Sequence, residues 1–135
     1  MLQQMLSDFG MSYARLNRAR PHASGRSLRL LLKFGAERIS VGMLTYEDDE
    51  YVFRYSPDYR RRGLPPIAEF PDTSEVYRSE HLWPFFEVRV PPLNRPDIVS
   101  LLEEKGIRPT DLFGILGRIA SRSVTSPFEF ELQGT

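Results

Sequence analysis

Residues 28–55, LRLLLKFGAERISVGMLTYEDDEYVFRY, hold three runs of strand-forming residues separated by two turn signals. The first run, 28–34, stops at the turn residue Gly35, and the second, 39–46, stops at the acidic turn Glu47, Asp48, Asp49 and Glu50. In the third, Tyr51, Phe53 and Tyr55 alternate with Val52, Arg54 and Ser56, the period-two pattern of a half-buried strand. Short connections pair neighbours antiparallel, so this order predicts a three-stranded meander.

Toward the C-terminus, Pro65 and Pro66 argue against a helix and predict a loop over 57–66, leading into a short edge strand at 67–70. The segment 81–92, HLWPFFEVRVPP, is rich in aromatic and β-branched residues between prolines, and its direction stays open. Beyond it, Asn94 is placed to cap a helix with Pro96 and Asp97 in its first turn, Ile98, Leu101 and Leu102 on one face, and Gly106 as its stop. A second helix follows Pro109, with Thr110 as cap and Leu112, Phe113, Leu116 and Ile119 as its buried stripe. Residues 128–132, in which Glu129 and Glu131 alternate with apolar neighbours, predict a last strand. The fold class is therefore α+β: a small antiparallel sheet beginning with a three-stranded meander, two C-terminal helices and a final strand.

Toward the N-terminus, residues 1–27 set Arg15, Arg18, Arg20 and Arg26 against the single acid Asp8, and they run through Pro21, His22, Ala23, Ser24 and Gly25. Leu2, Met5, Leu6 and Phe9 recur at helical spacing before Gly10 interrupts them. The division expected is a basic arm over 1–27 and one domain over 28–135.

Composition bounds the function. A chain of 135 residues has room for one core, and 41% hydrophobic with 27% charged residues is the balance of a globular protein. A formal net charge of zero gives no long-range field toward nucleic acid or an anionic membrane. The absence of cysteine excludes disulfides, thiolate zinc sites and a cysteine nucleophile, and suits a reducing cytoplasm. No apolar stretch approaches the ~20 residues of a spanning helix, and no signal peptide opens the chain, so a cytoplasmic location is expected. Lys33 and Lys105 are the only lysines; the arginine excess fits either the base composition of the gene or bidentate contacts at an interface.

Catalytic signatures are missing: no GxxxxGK[ST], no GxGxxG, no HExxH and no GxSxG occurs. His22 and His81 lie far apart, and the acidic run 47–50 lacks the DxDxDG spacing of a calcium loop, so it reads as a solvated hairpin tip. No nucleophile, base and orienting group can be named together, so neither enzyme activity, metal nor cofactor is expected.

Taken in order, VGMLTYEDDEYVFRYSPDY at 41–59, then Pro65, Pro66 and Pro71, the pair Phe85 and Phe86, and RPTDLFGILGR at 108–118 resemble the N-terminal subdomain of the HipA kinase family, over about residues 28–132. Two stretches depart from the family pattern. Ile119, Ala120, Ser121, Arg122 and Ser123 replace an Asp-x-x-Gly-Ala turn, and Val88, Arg89 and Val90 precede Pro91 and Pro92 where the family has Leu-Leu-Pro. The chain stops where the family's kinase core would begin, so no ATP loop, catalytic aspartate or magnesium ligand is expected.

The resemblance implies a split toxin-antitoxin system, in which a HipS-like subdomain serves as antitoxin or accessory subunit to a HipA-like (HipT-like) serine/threonine kinase toxin, with a HipB-like DNA-binding protein as a further partner. The other reading is a nucleic-acid-binding accessory subunit of the repressor complex, motivated by the arginines before residue 30; direct contact with nucleic acid stays open. No membrane partner is implied.

The candidate partner-binding residues are Trp83, Pro84, Arg60, Arg61 and Arg62. Three successive large rings at Trp83, Phe85 and Phe86 cannot all point inward from an extended segment, so one ring faces out, and Trp83 on a proline-stiffened loop is the anchor that would enter a groove of the kinase. Arg60, Arg61 and Arg62 would be rim contacts. The competing reading makes Trp83 a core residue.

Overall fold

The computed structural model describes residues 26–123 and 126–134. The meander forms as its sequence predicts: β1 (Arg26–Phe34), β2 (Glu37–Glu47) and β3 (Glu50–Tyr55). Asp48 and Asp49, at φ 51° and 64°, make the β2–β3 turn, the positive-φ pair that matches a two-residue turn to the strand twist. Arg26 and Ser27, assigned by sequence to the arm, are ladder residues opposite Gly134 and Gln133. The rest of the arm, with His22, lies outside the described residues.

Two further strands complete an antiparallel sheet in the order β4-β3-β2-β1-β5. The edge strand β4 is Val76–Ser79, not 67–70. Ile67 and Phe70 are buried three residues apart across a turn, where Phe70 N–H donates to the Ile67 carbonyl at 2.8 Å. Their apolar character serves plugging and not strand pairing. The predicted loop 57–66 begins with a short helix, α1 (Pro57–Arg61), which Pro57 opens at the first helical position, where its missing N–H costs nothing. Pro84 acts in the same way at the start of α2 (Pro84–Glu87), so the segment 81–92 is built around a helical turn.

Both C-terminal helices are present, with caps shifted by one residue. In α3 (Pro96–Lys105) the N-cap is Arg95, not Asn94, and it makes no side-chain cap bond. In α4 (Leu112–Arg118) it is Asp111, not Thr110; Asp111 Oδ1 accepts the Gly114 N–H at 3.0 Å and also meets Arg26 Nη1 of β1 at 3.0 Å. Strand and helix are tied at that carboxylate.

The core lies between the sheet and the helices. Leu28, Leu44 and Phe53 form one fully buried cross-strand row, and Phe113 and Leu116 of α4 pack in the same cluster. Ile115, on the other side of α4, meets Ile98, Leu102 and Ile107, so α3 stands behind α4 in a second, smaller cluster. Gly42 is required at the β1–β2 bulge: a Cβ there would lie 2.7 Å from the Phe53 ring and closer still to the Arg54 carbonyl.

The opposite face of the sheet is charged, with Arg54–Glu47 at 2.9 Å, Arg29–Glu131 at 3.5 Å and Arg78–Glu50 at 3.6 Å. Two residues on it depart from simple alternation. Val52 is fully buried between its cross-strand neighbours Thr45 and Arg78. Glu129 is 6% exposed and pairs with Arg38 at 3.1 Å, so its charge is compensated where it is desolvated.

Candidate partner-binding surface

The loop after α1 is held to the body by phenols. Tyr59 donates to the Pro65 carbonyl at 2.6 Å, and Tyr55 donates to the Phe70 carbonyl at 2.6 Å while accepting the Ile67 N–H at 2.9 Å. The two rings stack with centroids 5.7 Å apart. Burial pushes the Tyr55 hydroxyl up to about 12 and raises Tyr59 as well, so both are fixed as neutral donors. Glu69 closes the loop onto α2 by accepting the Phe85 N–H at 3.1 Å.

These ties leave an open groove of about 470 Å³ between five structural units. Its walls are Leu32 of β1, Tyr59 of α1, Pro65 to Glu69 of the loop, Phe85 of α2 and Phe128 of β5. Among the described residues Glu69 is its only ionisable carboxylate, and the remaining lining is mostly apolar. The chemistry available is burial of a partner's apolar side chain with a few backbone carbonyls at the margin.

Of the residues chosen from sequence, the structure brings α1 and α2 to the two sides of this groove but does not line it with Trp83. Trp83 is half-buried at the N-cap of α2, its ring edge-on to Phe70 at 5.0 Å. Its carbonyl accepts the Phe86 N–H at 3.0 Å and the Glu87 N–H at 2.9 Å. The reading of an outward Trp83 thus gives way to a half-core position. In a helical turn successive side chains point about 100° apart, so three rings in four positions find three directions. Phe86 goes fully inside, Trp83 leans on Phe70, and Phe85 lies edge-on to both Phe86 and Phe128 at 5.1 Å. Pro84 is exposed.

Arg60, Arg61 and Arg62 are all exposed. Arg61 meets Asp58 at 3.5 Å, and Arg62 meets Asp58 at 3.1 Å and Glu37 at 3.2 Å. The Glu37 and Asp58 carboxylates raise the Arg62 pKa further. Arg60 forms no ion pair among the described residues, which makes it the cation of the three with a free charge. His81 is exposed, and among the described residues no group of three or more His, Cys, Asp or Glu is placed to hold a metal ion. No helix among the described residues is long and apolar enough to cross a membrane.

Sequence reasoning missed the groove itself. Leu32, Tyr59, Ile67, Phe85 and Phe128 come from five separate stretches, and no local periodicity marks them as one surface. The Pro65–Pro66 pair was the available signal, read only as a helix breaker.

The family model of the HipA N-terminal domain matches residues 33–124. That span takes in β2, β3, the groove loop, α2, α3 and α4, and it corresponds to the N-terminal domain and not to a catalytic kinase domain. Neither a curated protein nor a solved structure matches the chain.

Proposed function

The chain belongs to the HipA N-terminal domain family, and we propose that it works without catalysis, as a cytoplasmic antitoxin or accessory subunit that binds and neutralises a HipA-like (HipT-like) kinase, in company with a HipB-like DNA-binding protein. The observation that carries this reading is the groove between α1 and α2, an apolar surface pinned open by Tyr55, Tyr59 and Glu69. A rigid groove loses little entropy on docking, so apolar contacts made there convert efficiently into affinity.

In this reading Pro84 and Phe85 present the α2 side of the contact, Trp83 supports it from behind through Phe70, and Arg60, Arg61 and Arg62 form the rim. Arg60 is the rim residue with most to gain, since an acidic residue of the partner would meet a charge that forms no ion pair among the described residues. Rim charges act chiefly on association rate and its salt dependence, so the groove carries the affinity and the arginines the steering.

The test is co-expression of this chain with a HipA-like kinase encoded beside it, followed by affinity purification and a growth assay. Co-purification with relief of kinase toxicity is the expected result. A chain that neither co-purifies with the kinase nor changes its toxicity or phosphorylation overturns the proposal.

A further inference from the structure

A second cavity, of about 430 Å³, lies on the other side of Phe128 and is lined by Val88, Arg89, Ala120, Arg122, Ser123, Ser126, Phe128 and Phe130. It is chemically unlike the groove. Among the described residues one half is two guanidinium groups and two hydroxyls without a carboxylate, and the other half is aromatic and aliphatic wall.

Arg89 is built into the protein and not merely lying on it. Its guanidinium carbon sits 4.2 Å from the centroid of the Phe85 ring and 5.8 Å from that of Phe128. Its Nη1 donates to the Phe85 carbonyl, and its Nη2 donates to Ser126 Oγ at 3.2 Å. Arg89 forms no ion pair among the described residues; Glu69 acts on it only at longer range, and burial lowers its pKa. A half-buried cation with no carboxylate is a costly arrangement that an anion in the cavity would offset.

Ser126 adds a directed donor. Its Oγ accepts from both Arg89 Nη2 and the Phe128 N–H, each at 3.2 Å, which occupies its two lone pairs and leaves the hydroxyl proton to donate. Arg122 is exposed at the mouth and also forms no ion pair among the described residues.

From these groups we infer that the cavity binds an organic phosphate monoester, its phosphoryl oxygens on Arg89, Arg122 and the Ser126 hydroxyl and its apolar substituent against Phe128 and Phe130. A planar guanidinium held at fixed geometry takes two phosphoryl oxygens at once, and three oxygens use the remaining donors, which a carboxylate with two oxygens does not. The site shares its Phe128 wall with the kinase-docking groove but opens as a separate cavity, and its test does not need a kinase.

The test titrates the full chain with phenyl phosphate, following heat by calorimetry and the arginine side-chain N–H signals by NMR, with inorganic phosphate and benzoate as comparisons. Saturable binding of phenyl phosphate that shifts the Arg89 signal is expected, tighter than either comparison. Arg122→Gln, which removes an exposed cation and no packing, should weaken it about tenfold, as should Ser126→Ala to a smaller degree. Absence of binding at millimolar phenyl phosphate overturns the inference, as does unchanged affinity in Arg122→Gln. Benzoate binding as tightly as phenyl phosphate rules out the phosphate class, and inorganic phosphate binding as tightly rules out the apolar wall.

Discussion

The hydroxyl of Tyr55 donates to the carbonyl oxygen of Phe70 at 2.6 Å, across fifteen residues of chain, and the Tyr55 hydroxyl oxygen in turn accepts the Ile67 N–H at 2.9 Å. One phenol on β3 therefore suspends both ends of the turn that floors the groove. Tyr55→Phe keeps the ring stacked on Tyr59 but leaves two buried backbone groups unpaired. Its cost should be about 1–3 kcal/mol, read as a lower urea midpoint. Faster amide exchange at Ile67, with β1 and β5 protected as before, should locate the loss in the loop.

Gly42 faces the opposite constraint, crowding instead of suspension. An added methyl at this position meets the Phe53 ring and the Arg54 carbonyl, and the second of these is ladder backbone that cannot move aside. Gly42→Ala should destabilise the protein by about 1–3 kcal/mol although alanine is the better residue by conformational entropy. Chemical denaturation checks the sign, and a stabilised variant would show that the bulge relaxes.

The contrast between these two residues shows what was legible in sequence. Strands β1, β2, β3 and β5 and both C-terminal helices follow from periodicity, because each buries one regular face. The edge strand was misplaced because VYRS at 76–79 is short and polar while IAEF at 67–70 is apolar, yet Ile67 and Phe70 are buried by hanging from Tyr55, a contact twelve to fifteen residues away. The loop expected over 57–66 rests on Pro65 and Pro66, and the loop expected around Trp83 on Pro84, yet Pro57 and Pro84 each open a short helix, since the sequence alone does not say which side of a proline a helix lies on. The groove combines five segments, and only the folded chain brings Leu32 beside Phe85.

Alkaline pH should probe the core directly. Tyr51 and Tyr55 are both pushed up to about 12 by burial, with Tyr46 adding to the rise at Tyr51. The unfolded chain releases these protons near the ordinary value of 10.0. Between about pH 10 and pH 12 the unfolded state thus binds fewer protons than the folded one, and stability falls as pH rises. Thermal melts across that window should show the loss, and Tyr51→Phe should reduce its steepness.

The acid limb belongs to Glu47, whose carboxyl is held at about 2 by its hydrogen bond from Arg54, then by that from Thr45. A lowered folded value means stabilisation that is present above the ordinary 4.5 and is lost as pH falls toward 2. Glu47 is partly exposed, so solvent screens the effect and the change per molecule is small. Glu47→Gln should flatten the stability profile between those limits while leaving the alkaline limb unchanged.

Trp83 is where stability and partner binding can be separated by choice of substitution. Its ring lies edge-on to Phe70, and Phe70 stacks on Phe53 at 4.5 Å and lies 6.3 Å from Phe86, so the indole braces the aromatic centre of the core. Removing it in Trp83→Ala should cost about 2 kcal/mol, below the 3–5 kcal/mol typical of a fully buried large ring, because part of its surface is already in water. That variant alone cannot separate bracing from contact, since a loosened α2 also displaces Phe85 from the groove. Trp83→Phe retains a ring on Phe70 and removes the outer part of the indole. If Trp83 acts only as a brace, the Phe variant should keep both melting temperature and kinase neutralisation, and the Ala variant should lose both in proportion. If the indole also touches the kinase, Trp83→Phe should keep its melting temperature while its affinity for the kinase falls about tenfold or more, a size usual for truncating an aromatic anchor. Melting curves and kinase titrations on both variants therefore assign the residue, and loss of neutralisation in Trp83→Ala with an unchanged melting temperature would contradict the bracing geometry itself.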